Sequence, residues 1–476
     1  MCSWSTILKV PRRLRKVSED AYEPQVLSIG PEKPSSPYMP EMDECKKKCL
    51  ERVTLRLGKK KVKQYSQDMN IAQAYKKFYP HLSEEDQERA KNDILLDGVF
   101  IVELLCAEPL RDFAPIFKFK WIQTACLHDL LLLENQLPFF VLADLYRLSM
   151  EANRRTTGEG IIEADPTDGG QGFASKAFAV LSTLLPGPSN WVQNHSSIED
   201  TDNIMHLLSL VHDRWSPSPE GIMRHEEWYK KKLGDEEKKI EGDEENGLII
   251  DTMGEHSYSK YWKRWFGRDK ENVRKGLDEW QSIRCATELE EAGIKFVKIG
   301  IDSKGNTNYS NVVSLFDIRF RNATMKIPTF VVDDHTERLF RNLIAYELYS
   351  QGSTYVLDYV TFMDNLINSA KDVQVLRFSG VIVNMLGDDE AVAQMINKLR
   401  QHVTLCGKSF YYDEIFVDVK KHCARRWSIW KAKLSRDYFN SPWALLSFLA
   451  ALLIILLAIG SFVTALLPLV DKKLRN

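Results

Sequence analysis

Apolar residues recur at helical spacing along most of this chain. Leu95, Leu96, Val99, Phe100 and Val102 follow Ser83-Glu-Glu-Asp86, a capping-box pattern, and predict a helix that runs to about Cys106. A charged helix is expected before it, from Glu41 to Leu57. Ile122 to Leu148 is the most apolar stretch outside the tail. It reads as two helices broken at Leu137-Pro138, because the residue before a proline avoids the α region. Pro138 opens the second helix at Phe139. Asn135 and Gln136 fall at the corner, where their side chains satisfy loose backbone groups, and Glu134 beside them reads as a corner residue. Later helices are expected over Glu337–Tyr349, behind Thr336, and along Val356, Tyr359, Val360, Met363, Leu366 and Ile367. Another shows Val392, Met395, Ile396 and Leu399 on one face, with Asp388 and Asp389 at its start.

Periodicity changes to β-prone runs at Ile294–Ile299, Val312–Phe320 and Met325–Val332, which predict a small antiparallel patch with a turn near Asp302–Asn308. Two stretches read as loops. Asn153–Gly172 is rich in Gly, Thr and Asp, and Ser216–Glu255 contains Lys230–Asn246, with five basic and seven acidic residues. The expected organisation is a basic tail (1–20), a first helical lobe (21–215), a charged variable linker (216–256), a second lobe of helices and β patch (257–425), a basic juxtamembrane segment (426–440), a transmembrane helix (441–470) and a short tail (471–476). The fold class expected is mainly α: a large two-lobed helical body, a minor antiparallel β patch and one C-terminal transmembrane helix.

The membrane expectation comes from Ser441–Val470, which carries no charged side chain. A spanning helix needs about 20 mainly apolar residues, and a buried core helix rarely stays apolar all round for so long. Ser441 caps the run and Pro442 suits its first turn. Trp443, with Tyr438 and Phe439, sits where an interfacial belt would lie, and Leu449, Leu453, Leu457, Phe462 and Leu466 form the expected anchor. Lys421, Arg425, Arg426, Lys431, Lys433 and Arg436 outnumber the downstream Lys472, Lys473 and Arg475. By the positive-inside rule the body is then cytosolic, tethered to the plasma membrane or an endomembrane. No apolar run suited to a secretory signal occurs in Met1–Asp20, and Cys2 stands where myristoylation needs glycine. Small-xxx-small spacing at Ser447/Ala451 and Ser461/Ala465 leaves a homodimer open.

Charge and chemistry narrow the function. A net charge of −2 argues against nucleic-acid binding. The eight cysteines are scattered and read as reduced thiols. Sequons stand at Asn194, Asn308 and Asn322, near the number expected by chance. Gly407-Lys408-Ser409 resembles a phosphate loop, but the position five residues before Gly407 is His402 where a glycine is required. His402, Cys406, His422 and Cys423 make a poor tetrahedral zinc set, and Cys45 and Cys49 lack a second pair. The pairs His128-Asp129 and His212-Asp213 invite comparison with helical metal-dependent phosphohydrolases. That chemistry needs a further His and Asp in the right helices, and Asp129 reads first as a backbone acceptor. No catalytic residue, cofactor or metal is therefore assigned, and the chain is expected not to be an enzyme. A hydrolase using the His-Asp pairs is the alternative.

Several separated stretches resemble one family. Tyr22-Glu-Pro-Gln-Val-Leu-Ser-Ile-Gly-Pro31 and Leu130-Leu-Leu-Leu-Glu-Asn-Gln-Leu-Pro-Phe-Phe-Val-Leu142 match its two hallmark stretches. Arg341-Asn-Leu-Ile-Ala-Tyr-Glu347 and Asn440-Ser-Pro-Trp443 match as well. The family is the membrane-anchored plant group called domain of unknown function 247. Glu32-Lys33 departs from it, since members often continue with Tyr-His. The resemblance marks Tyr22, Pro24, Ser28, Gly30, Pro31, Glu134, Asn135, Gln136, Pro138, Phe139, Arg341, Asn342 and Glu347 as motif positions of structural rather than catalytic kind. It implies no assigned reaction. Some grass members are implicated as pollen-side determinants of self-incompatibility, which implies recognition of a protein partner, here unknown, beside the lipid bilayer. Specificity would then reside in exposed variable segments such as Asn153–Gly172 and Ser216–Glu255.

Overall fold

The computed structural model describes residues 8–30, 39–66, 84–106, 115–157, 168–187, 201, 203–244, 283–299, 314–350, 352–403, 410–424, 446–447, 449–458 and 461. In chain order the helices are α1 (Arg12–Arg15), α2 (Met39–Leu57), α3 (Lys59–Ser66), α4 (Glu84–Cys106), α5 (Lys120–Asp129), α6 (Phe139–Thr157), α7 (Asp168–Leu181), α8 (Leu207–Arg214), α9 (Pro219–Glu244) and α10 (Ala286–Glu291). They continue with α11 (Thr336–Glu347), α12 (Tyr355–Leu366), α13 (Ala370–Phe378), α14 (Asp389–Leu399) and α15 (Asp413–Ala424). Strands are β1 (Lys295–Ile299), β2 (Arg319–Arg321), β3 (Thr324–Pro328), β4 (Phe330–Val332) and β5 (Ile382–Asn384).

Buried apolar side chains from Leu8 to Val419 form one contiguous core. In the N-terminal half, α2 packs on α4 and α6, and α7 packs on α6. Stripes such as Met42, Cys45, Cys49 and Val53 on α2 face Ile94, Phe100 and Ile101 on α4, all buried. Each such aliphatic or aromatic side chain gains about 1.5–3 kcal/mol on leaving water. Helix α11 is buried on every side and joins the halves: Leu339, Phe340, Leu343 and Ile344 pack in the core, while Arg338, Arg341, Asn342 and Glu347 are buried as well. A helix of this kind needs polar partners for its polar residues, and those partners make the site described below.

The β patch is mixed rather than antiparallel. β1 runs parallel to β3, Lys295 opposite Thr324; β2 runs antiparallel to it, Phe320 opposite Met325; β4 and β5 are parallel. Only β2 and β3 are joined by a two-residue turn, so only they can form a hairpin. In β4–β5 the helices α11, α12 and α13 lie between the two strands in sequence and allow a parallel crossover. The expected run Val312–Phe320 is strand only at Arg319 and Phe320 where described, because Asp317 draws residues 314–318 into a loop, accepting from the Ser314 N–H at 2.8 Å.

The dense charges of Ser216–Glu255 do not prevent order. Pro219–Glu244 is one helix, not a loop. Lys and Glu are good helix formers, and Glu226 and Lys230 pair at i,i+4 (3.9 Å). Its early turns pack beside α15 through Lys232–Asp413 (3.1 Å) and the His225–Tyr411 ring stack. Within the other expected loop, α6 extends to Thr157 and α7 begins at Asp168, and the intervening residues lie outside those described.

The predicted C-terminal transmembrane helix is not supported. Among the described residues, no helix is long and apolar enough to cross a membrane. In the stretch 441–470 helix is described at 446–447, 449–458 and 461. Leu449, Leu453 and Leu457 are exposed there. Pro442, Trp443, Phe462 and Leu466 lie outside the described residues. The single-pass localisation that rested on this helix is withdrawn with it.

Candidate functional site: a buried polar clasp

The hallmark stretches meet at one place. α5 ends at Asp129, and α6 begins only at Phe139. Leu130, Leu131, Leu132, Leu133 and Leu137 bury the corner between them, so its backbone groups cannot turn to water and need internal partners. Gln136 Nε2 donates to the carbonyls of Leu130 and Leu132 at 2.7 Å each, and Gln136 Oε1 accepts from the Leu208 N–H (3.2 Å). Asn135 Nδ2 donates to the Asp129 carbonyl (2.8 Å). From α11, Asn342 Oδ1 accepts from the Leu133 N–H (2.9 Å). Pro138 supplies no N–H, and the Phe139 N–H reaches the Met205 carbonyl (2.8 Å).

The same side chains grip the extended segment Tyr22–Gly30. Asp129 accepts from the N–H groups of Gln25 (3.0 Å), Val26 (2.8 Å) and Leu27 (2.8 Å) and pairs with Arg338 Nη2 at 2.5 Å. Arg338 also donates to the Glu23 carbonyl (2.6 Å). Asn135 Oδ1 accepts from the Ile29 N–H (2.7 Å), while its Nδ2 reaches the Leu27 carbonyl. Asn342 Nδ2 donates to the Ala21 carbonyl (2.9 Å). At the far end the Gly30 N–H, in a residue with φ of 85°, meets Asp97 Oδ2 (2.9 Å). Asp97 pairs with Lys46 at 2.7 Å, both fully buried, and Lys46 Nζ donates to the Ser28 carbonyl (2.6 Å). Side chains thus do for this segment what a neighbouring strand does in a sheet.

Outside the groove, Glu134 accepts from the Val10 N–H (2.6 Å) and pairs with Arg15 (2.8 Å), which also pairs with Glu23. Tyr22 and Phe139 are buried, Pro24 is half-buried, and Pro31 is outside the described residues. Ser28 is fully buried with no hydrogen-bond partner for its hydroxyl. Arg341 Nε pairs with Glu337 (2.7 Å). Glu347 is apart from the clasp. It accepts from the Val356 and Leu357 N–H groups, at the start of α12, and from His212 Nε2 (2.9 Å).

Electrostatics follow from burial. It pushes the Asp129 carboxyl up, against the pull of Arg338 and three N–H donors. Burial lowers His128 to about 4, helped by His335, whose ring stacks on it at 3.9 Å. Burial would also lower His212, but its hydrogen bonds to Asp213 and Glu347 prevail and raise it to about 9. Neither His-Asp pair is built like a metal site: His128 faces a ring, and Asp129 is committed to the clasp. Among the described residues no group of three or more His, Cys, Asp or Glu is placed to hold a metal ion.

Residues 7–457 match the family described as a plant protein of unknown function, domain of unknown function 247. The chain belongs to this family. Two curated Arabidopsis thaliana proteins are similar to this domain of unknown function 247 chain. UPF0481 protein At3g47200 is 24% identical over 488 residues, covering 99% of this chain and 88% of the relative. Putative UPF0481 protein At3g02645 is 22% identical, covering 95% and 88%. No solved structure matches.

The periodicity of this domain of unknown function 247 chain did not reveal Lys46, Asp97 or Arg338. Lys46 left a trace, since it interrupts the stripe Met42, Cys45, Cys49, Val53 at a core position. Arg338 and Asn342 are four apart on one helix face, a second trace. Asp97 left none.

Proposed function

We propose that this chain is a protein-recognition module with no active site of its own. The observation carrying this reading is the commitment of Asp129, the best-placed candidate for acid, base or metal chemistry, to three N–H donors and Arg338. The competing hydrolase reading needs that carboxylate and His128 to converge on a substrate, whereas His128 is buried against His335. Contact with a partner falls to exposed apolar residues. Phe378, 74% exposed at the end of α13, carries the Arg377 guanidinium 5.0 Å from its ring centroid, and Met385, 65% exposed, follows β5. Exposed aromatic and methionine side chains beside arginine are what protein interfaces are enriched in. Self-incompatibility, implicated for some grass members, is not part of the proposal.

The test is proximity labelling from the full chain in plant cells. Phe378→Asp with Met385→Asp should remove a discrete set of neighbours while the far-UV circular dichroism stays unchanged. An identical set of neighbours would refute the reading. So would metal-dependent phosphatase activity of the purified chain that His128→Ala abolishes.

A further inference from the structure

Strand register fixes which side chains share a face of the β1–β3–β2 sheet. Residues opposite one another in paired strands lie on one face, and successive residues alternate between faces. One row across the sheet is therefore Lys295, Thr324 and Arg321, and the next on the same face is Val297, Lys326 and Arg319. Phe296, Met325 and Phe320 lie on the opposite face, which packs on the core. On the outward face Lys295, Val297, Arg321 and Lys326 are exposed, Val297 by 41%, while Arg319 and Thr324 are half-buried. Four of these six positions are cationic and none is acidic, in a chain of net charge −2. Arg319 stands directly opposite Lys326, and like charges so placed destabilise a sheet.

Carboxylates of the chain relieve only the β2 side of this face. Arg319 pairs with Glu220 of α9 at 3.2 Å, and Arg321 lies in the field of Glu414 of α15. Lys295 and Lys326 form no ion pair among the described residues. Positive charge is thus left unbalanced over β1 and β3, around the exposed Val297. We propose that this face docks an extended acidic segment of a partner protein. An extended chain presents side chains on one face at every second residue, about 7 Å apart, and the two rows are separated by the same two-residue step. Carboxylates at alternate positions of such a segment therefore match Lys295 in one row and Lys326 in the next. Nucleic acid is a poorer match, because no aromatic side chain stands on this face for a base to stack on. The inference rests on the recognition reading above and names the partner's chemistry, on elements other than those that carry Phe378 and Met385.

Fluorescence anisotropy of a fluorescein-labelled oligoglutamate peptide titrated with the full chain tests this. Binding is expected at low salt and should weaken as sodium chloride rises, since exposed charges are screened. Lys295→Glu with Lys326→Glu should weaken it roughly tenfold while circular dichroism stays native, both side chains being exposed. Lys47→Glu with Lys48→Glu, on the outward side of α2, should leave it unchanged. An equal loss there would mean that any basic surface suffices, and overturns the proposal. So does a wild-type chain that does not bind the peptide, a Lys295 and Lys326 variant that binds it as well as wild type, or tighter binding of single-stranded oligothymidine at the same lysines. If the peptide fails while Phe378→Asp with Met385→Asp still removes neighbours in cells, this surface is refuted and the recognition reading stands.

Discussion

Asp129→Ala should loosen the N-terminal segment more than any other single truncation in the clasp. The change strips the acceptor from three N–H groups, those of Val26 and Leu27 buried, and leaves Arg338, 8% exposed, without its counter-charge. Breaking a buried pair from one side costs about 3–5 kcal/mol, and each orphaned donor adds about 1–3 kcal/mol where water cannot reach it. These terms overlap, so the expected loss is about 4 kcal/mol, a large part of the 5–15 kcal/mol typical of a domain. Urea denaturation followed by tryptophan fluorescence measures the total. Hydrogen exchange measures its location: the amides of Gln25, Val26 and Leu27 should lose protection before those of α12. Adding Arg338→Met to Asp129→Ala should recover part of the loss, because the stranded charge is gone. A loss below about 1 kcal/mol, or unchanged exchange at residues 25–27, would refute the reasoning.

Tyr359→Phe should be neutral or stabilise the chain by about 1 kcal/mol, read as a shift of the urea midpoint, since the Tyr359 ring packs on Phe316, Phe330 and Phe340 and its buried hydroxyl has no hydrogen-bond partner. Stability should fall at both ends of the pH scale. His212, raised from 6.5 to about 9, contributes fully below 6.5 and loses that contribution as pH rises through 9, and His212→Gln should flatten this alkaline limb. His128 and His206, lowered from 6.5 to about 4, destabilise the fold by about 2 kcal/mol each at pH 5, because the unfolded chain takes up the proton first; replacing either with Gln should shrink the acid limb. In the β2–β3 turn Asn322 and Ala323 both have positive φ (51° and 55°), so Ala323→Gly should raise the thermal midpoint, stabilising by about 1 kcal/mol.

Local periodicity located α2, α4, α11, α12 and α14 to within a few residues and the start of α6 at Phe139. The break before Phe139 follows from Pro138, and the start of α14 follows from Asp388, whose side chain accepts from the Glu390 N–H (3.1 Å). Asn135 and Gln136 were legible as corner residues because their amides match loose backbone groups. Their second task, and that of Asn342, was not, since it joins residues 72 to 321 positions apart. The hydropathy of 441–470 suggested a span, and among the described residues no helix is long and apolar enough to make one. Charge density likewise suggested a loop where α9 forms, because alternating charges stabilise a helix as readily as they solvate a coil.

The amino-acid order alone determined the helical class, the position of the tight corner and the family, because each depends on residues close together or on matching words in order. The tertiary structure decided what the buried polar residues are for. A carboxylate such as Asp129 is available for chemistry or for holding backbone according to which groups are folded against it, and those groups come from Gln25–Leu27 and Arg338, far apart in the chain.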